Sequence, residues 1–215
     1  MKSVLILGAG NFGTMLARQM NEQGYEIMIV DVRENLINAV MPYVTDAQIG
    51  DCTSPTFLQT LGVGNFDLCV VSISENFQTS LEATSLLKEL GAKQVISRAK
   101  NEIQEKFLLR NGADEVVYPE KQIAKRLATK YSSEKILDFL QLEGGFSIYE
   151  MAIPSEWFGK TLVELDLRRK YEVNLICLRA GGEIKVPRPD REFKAEDVVY
   201  VVGELSNIRK CFHIR

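Results

Sequence analysis

Six short aliphatic runs punctuate the first half of the chain: SVLILG, EIMIVD, AQIG, DLCVVSI, QVISR and EVVYP. Between most of them lie segments whose charges gather on one side, as amphipathic helices require. Runs this short and this rich in Val and Ile suit strands covered on both faces, the condition of a parallel sheet flanked by helices. The pattern therefore predicts an α/β fold with a Rossmann-like, doubly wound parallel sheet. Gly24, Gly91 and Gly112 fall where three of the helices should stop, at positions that favour a left-handed cap.

After Pro119 the pattern changes. The stretch EKQIAKRLATKYSSEKILDFLQL reads as one or two helices with a break near Tyr131 to Ser133, and the EGG at Glu143 to Gly145 reads as a boundary. Beyond it come FSIYEMAI, a short helix around GKTLVELDLRRKY, a hairpin NLICLRAGGEIKVP turning on Gly181 and Gly182, and DVVYVVG. These predict a small α+β module built on antiparallel strands. The expected division is a nucleotide-binding domain at 1–130, a connecting helix at 131–144 and a smaller domain at 145–215.

Composition narrows the classes. The chain has 215 residues, is 46% hydrophobic and 26% charged, and carries a formal charge of -3, ordinary for a folded globular protein and long enough for two modest domains. No basic cluster is visible, so nucleic acid is not an expected partner. No apolar run approaches the ~18 residues of a membrane span. The start MKSVLILGAG imitates a signal peptide but passes into glycines rather than a cleavage site, so a cytoplasmic location is expected. Cys52, Cys69, Cys177 and Cys211 form no CxxC pair, and with His213 as the sole histidine no zinc set is expected. Cys69 and Cys177 sit in apolar runs and read as small buried hydrophobes.

The chemistry-bearing motif is GAGNFG. Gly8, Gly10 and Gly13 have GxGxxG spacing, a weak signal alone. Here it follows a predicted strand and opens a predicted helix, and Asp31 ends the next strand at the spacing of the dinucleotide fingerprint. Gly8 permits the tight turn, Gly10 lets backbone approach a pyrophosphate, and Gly13 lets the helix pack closely. The helix N-terminus offers free N–H groups and positive partial charge to phosphates. Asp31, followed by Val32 and Arg33, would accept from a ribose diol and disfavour a 2′-phosphate, with Arg33 moderating that exclusion.

Taken in order, GAGNFG, IVDVRENLI, GDCTSPTFLQTLGVGNFDLCVVSISENFQTS, LLKELGAKQVISRAKN, NGADEVVYPEK, GKTLVELDLRRKYEVNLICLR and EDVVYVVG make the chain resemble the RCK (regulator of potassium conductance) subunits of bacterial Trk and Ktr potassium uptake systems. The resemblance implies an RCK_N domain that binds an adenine nucleotide (ATP, ADP or AMP) or NAD(H), and a smaller RCK_C domain. It also implies homodimers assembling into an octameric ring that gates a separate membrane potassium transporter or channel subunit. The chain would then be cytoplasmic and peripheral at the inner face of the cell membrane, and not an enzyme. By position, Gly8, Gly10, Phe12 and Gly13 would form the phosphate loop, Asp51, Cys52 and Thr53 would line the adenine end, and Ser72, Ile73 and Ser74 would close over the ligand. Arg98 would meet the outer phosphate or form a surface ion pair. Glu120 matches a position that can hold Mg or Ca near ATP, or is simply an acid favoured in a helix's first turn. Asn11 departs from the arginine many Ktr-type members carry there, which weakens the case for ATP over ADP and strengthens that for NAD-type ligands or AMP.

In the C-terminal module, Asp166, Arg168, Asn174 and Leu175 correspond to a site that binds cyclic di-AMP in some members. Alternatively, Asp166 and Arg168 pair across a helix surface and Asn174 begins a strand. Two further readings compete with the whole. One is a small NAD(P)-dependent oxidoreductase, suggested by the YxxxK spacing of Tyr131 and Lys135; the glycine pattern and the placement of that pair oppose it. The other is a nucleotide-binding regulator of some different partner.

Overall fold

The computed structural model describes residues 2–214 and divides into two compact units between Lys121 and Gln122. In the first, strands and helices alternate: β1 (Ser3–Leu7), α1 (Asn11–Glu22), β2 (Glu26–Asp31), α2 (Glu34–Val40), β3 (Asp46–Ile49), α3 (Pro55–Thr60), β4 (Leu68–Val71), α4 (Phe77–Glu89), β5 (Val95–Arg98), α5 (Glu102–Arg110) and β6 (Glu115–Val117). The six strands are parallel in the order β3-β2-β1-β4-β5-β6. Period-two geometry explains the aliphatic runs. Leu5 and Leu7 pack with Leu58, Ala83 and Leu87 on one side, while Val4 and Ile6 pack with Ala17, Ile37 and Val40 on the other. The strand order reverses between β1 and β4, opening a crevice at the strands' carboxyl ends, where α/β sheets bind ligands.

Helix α6 (Pro119–Lys130) follows β6, with Pro119 at its start. The second unit contains β7 (Ile136–Gln141), β8 (Phe146–Ala152), α7 (Leu162–Leu165), α8 (Leu167–Tyr171), β9 (Asn174–Ala180), β10 (Glu183–Lys185), β11 (Val198–Glu204) and α9 (Leu205–Cys211). Its strands form an antiparallel sheet in the order β10-β9-β11-β8-β7. One face, carrying Tyr149, Met151, Val199 and Val201, is covered by Trp157, Phe193, Ile208 and Phe212. The Trp157 ring centroid lies 4.9 Å from that of Phe212 and 5.6 Å from that of Phe193.

The helix expected at 131–144 is not formed. Residues 136–141 are the strand β7, hydrogen-bonded to β8, and Glu143 to Gly145 is the turn between them, with Gly144 and Gly145 both at positive φ (68° and 85°). The single short helix expected near Leu165 is two, α7 and α8, broken at Asp166 in the left-handed region. The hairpin at Gly181 and Gly182 is present as expected. Cys69 is fully buried, whereas Cys177 is only half-buried. Among the described residues no helix is long and apolar enough to cross a membrane.

Candidate nucleotide site

The turn after β1 is built by contacts that leave no room for a side chain at Gly8 or Gly13. Gly8 lies at φ 107°, its N–H donates to the Val30 carbonyl at 2.7 Å, and its carbonyl accepts from the Ser72 hydroxyl at 2.5 Å. A Cβ on Gly13 would collide with that same Gly8 carbonyl and with Ser72 Oγ. Gly10, which caps α1, has nothing within 4 Å of where a Cβ would stand. No side chain caps α1, and its first turn carries no acid, so its leading N–H groups and positive end are open to an anion.

A cavity of about 520 Å³ extends from this turn along the carboxyl ends of β1 to β5, a size ordinary for a cofactor site. Gly8, Gly10 and Asn11 form its floor. Asp31, Val32 and Arg33 follow from β2, Asp51 and Cys52 from beyond β3, Ser72, Ile73 and Ser74 from β4, and Arg98 from the end of β5. These sequence-derived candidates come together; Phe12, Gly13 and Thr53, also expected at the site, are not among the lining residues. Thr53 donates to Asp51 Oδ1 through its N–H (2.9 Å) and hydroxyl (2.7 Å), which hold that carboxyl below its ordinary pKa. The cavity also uses Val30, Leu36, Gly50, Glu75, Asn76 and Thr79, which the motif reading missed. Asn76 is legible as the N-cap of α4, accepting from the N–H groups of Gln78 and Thr79. Glu75 has no local signal, because its partner Arg33 lies on a different loop.

Asp31 is nearly buried. Burial pushes its carboxyl pKa up, but donation from Arg33 side chain and backbone and from the Ala9 N–H (2.8 Å) outweighs it, and the net pKa falls below the ordinary value. Cys52 is pushed up to about 11, first by burial and then by the Asp51 charge, so at neutral pH it is a protonated thiol rather than a nucleophile. Arg98 forms the ion pair that one of its two readings expects, with Glu120. Its guanidinium lines the cavity, sits 5.3 Å from the Phe12 ring centroid, and donates to Ser74 Oγ (3.3 Å) and Glu120 Oε1 (2.5 Å). Glu120 is thus held by a cation. Among the described residues no three His, Cys, Asp or Glu side chains gather as a metal set.

In the second unit Asp166 pairs with Arg169 at 2.6 Å, not with Arg168 as the helix-surface alternative expected. Arg168 and Asn174 are exposed, Asn174 does begin β9, and Leu175 packs against the core. A cavity of about 670 Å³ in this unit is lined by Leu178, Lys185, Val186, Arg188, Asp190 and Arg191, and by none of those four. Tyr131 is exposed beyond α6, and Lys135 donates to the Phe212 carbonyl at 2.7 Å. Tyr131 and Lys135 belong to the second unit, and the described residues that line the first unit's cavity include no histidine, tyrosine or lysine.

Residues 4–119 match the TrkA-N domain family and residues 147–214 the TrkA-C domain family. The chain is 36% identical to Ktr system potassium uptake protein C of Bacillus subtilis, and 30% identical to Ktr system potassium uptake protein A of the same organism. In both cases the match spans 97% of this chain and 95% of the relative. Among solved structures, the GsuK RCK domain superposes over 99% of this chain and 47% of its own length with a TM-score of 0.67 at 16% identity, a likeness of fold. The Kef C-terminal domain of Shewanella denitrificans in its AMP-bound form superposes over 59% of this chain and 77% of its own, with a TM-score of 0.51 at 25% identity.

Proposed function

The chain belongs to the TrkA family of potassium-uptake proteins, and from that premise we propose that it is the cytosolic regulatory subunit of a potassium uptake system, reading an adenine nucleotide or NAD(H) and gating a membrane pore partner. The observation that carries the nucleotide part is the pairing of an uncapped helix N-terminus with a buried carboxylate across one cavity at the sheet's crossover point. The N–H groups of Asn11, Phe12 and Gly13 suit a pyrophosphate; Asp31 suits a ribose; Cys52 and Ile73 offer apolar surface to a base. Arg98, which lines the same cavity, would meet an outer phosphate. A relative of similar fold that binds AMP supports the same class of ligand. Neutral Asn11 adds no charge for a terminal phosphate, which favours AMP, ADP or NAD over ATP.

A regulator must bind its ligand with different affinity in its two states; equal affinity shifts nothing. We place that difference at the interface between copies of this chain, in a homodimer and then an eight-membered ring. Helix α6 supports this. Its described side chains are none of them buried, yet Ile123 is 58% and Leu127 48% exposed, one turn apart on one face. A coupling of about 1–3 kcal/mol per site changes affinity about 5- to 150-fold. Magnesium or calcium at Glu120 would require release of Arg98 and phosphate oxygens to complete about six ligands. Cyclic di-AMP at Asp166, Arg168, Asn174 and Leu175 would require Arg169 to leave Asp166 and a second copy to supply the rest of the site.

The test is a thermal-shift panel with ATP, ADP, AMP, NAD, NADH, NADP and cyclic di-AMP, since a ligand of the folded state raises the melt by mass action. Shifts from adenine mononucleotides and NAD, reduced roughly tenfold in affinity by Asp31→Ala and accompanied by loss of regulated potassium uptake, are expected. A response to NADH alone, or binding indifferent to Asp31→Ala, defeats the reading.

A further inference from the structure

Asp31 is already saturated. Its Oδ1 accepts from the backbone N–H of Arg33 (3.0 Å) and from Arg33 Nε (3.0 Å), and its Oδ2 accepts from the Ala9 N–H (2.8 Å) and from Arg33 Nη2 (3.1 Å). A carboxylate offers about four acceptor positions, so none remains for a ribose hydroxyl. The fork of Arg33 is held from its other side as well, by Nη1 to Glu75 Oε2 at 3.1 Å, across to the loop that leaves β4. The Asp31 side chain is 5% exposed whereas that of Arg33 is 43% exposed, so the arginine is the member of the pair free to move.

We propose that Arg33 is a specificity-determining residue of this cavity, an internal competitor that occupies the acceptor positions a ribose 2′,3′-diol needs and is itself placed to receive a 2′-phosphate. The proposal rests on the nucleotide reading above and goes beyond it. A diol donates two hydrogens and needs two acceptor positions on Asp31. The two backbone donors, Ala9 and Arg33 N–H, stay with the loop. The bonds given up are therefore those of Nε and Nη2, and the displaced guanidinium remains charged and tethered beside the ribose. For a diol this is a cost. For a ribose carrying a 2′-phosphate, the planar fork finds a matching anion and offsets part of the repulsion from Asp31. Arg33 thus narrows the gap between the two ribose types that the carboxylate alone would impose.

Titration calorimetry of NAD and NADP on the full chain, wild type against Arg33→Ala and Arg33→Lys, tests this. Arg33→Ala is expected to tighten NAD by up to about fivefold, the size of a half-exposed ion pair given up, and to weaken NADP, so that the NAD-to-NADP affinity ratio rises. Arg33→Lys keeps the charge but not the fork, and is expected to give an intermediate ratio. A purely structural arginine would leave the ratio unmoved. An unchanged ratio, or weaker NAD binding in Arg33→Ala, overturns the proposal. Absence of binding by either dinucleotide to all three proteins overturns this inference, whereas the nucleotide reading falls only when ATP, ADP and AMP also leave the melt unmoved.

Discussion

Neighbouring glycines of one motif do different work, and substitution separates them. A methyl on Gly13 has to displace the Gly8 carbonyl, which is backbone and cannot move aside cheaply. Gly13→Ala is expected to destabilise by about 3 kcal/mol or more, seen as a lower urea midpoint. At Gly10 the φ of -68° suits alanine and the space is open, so Gly10→Ala should be neutral or stabilising by up to about 1 kcal/mol. Its methyl stands in the cavity, however, and nucleotide affinity should fall about tenfold or more. Loss of stability at Gly10 or of binding alone at Gly13 would reverse the assignment. Asp31 sets a pH dependence by the same local logic. Its folded pKa lies below the ordinary 3.8, so its contribution is complete above that value and is lost as pH falls through the lower folded one. Stability measured against pH should drop more steeply below about pH 4 in wild type than in Asp31→Asn, which cannot titrate.

Helix ends and sheet edges decide what could be read in advance. The strands β1, β2 and β4 were legible because both their faces are covered, which forces continuous aliphatic runs, while the more exposed edge strands β3 and β6 were legible from the alternation with helices that Gly24, Gly91 and Gly112 stop at positive φ. The strand β7 was not. Its pairing with β8 shifts register between Ile136 and Asp138, so Leu137 is an extra residue that breaks the alternation and leaves apolar positions spaced as in a helix. Within the site, the strand-end residues were legible from the motif and the resemblance. The bridge from Arg33 to Glu75 was not, because it joins residues 42 apart in sequence through tertiary structure alone. Helix α7, only one turn long, depends on its capping box, in which Thr161 Oγ1 accepts from the Glu164 N–H and the Glu164 carboxylate accepts from the Thr161 N–H at 2.7 Å. Thr161→Ala should cost about 1 kcal/mol in the melting of the second unit, and a melt identical to wild type would show that packing of Leu165, not the cap, holds the turn.

At the scale of the whole molecule, the apolar face of α6 tests whether nucleotide reading and assembly are separable. Ile123 and Leu127 contribute to no core cluster, so a charge there does not disturb the packing of either unit. In an interface between copies of this chain the same charge would be desolvated without a partner, which is costly. Leu127→Glu is therefore expected to leave the monomer folded, with an unchanged circular-dichroism spectrum, while light scattering after gel filtration reports a smaller assembly than wild type. Nucleotide affinity should change only by the coupling that assembly contributes, because the cavity lies among the loops at the ends of β1 to β5. Regulated potassium uptake should fail if, as proposed, the copies move together. An unaltered mass would place the interface elsewhere on the chain. A smaller assembly that still gates uptake normally would show that the signal passes through one copy, and that the ring is not the element the nucleotide biases.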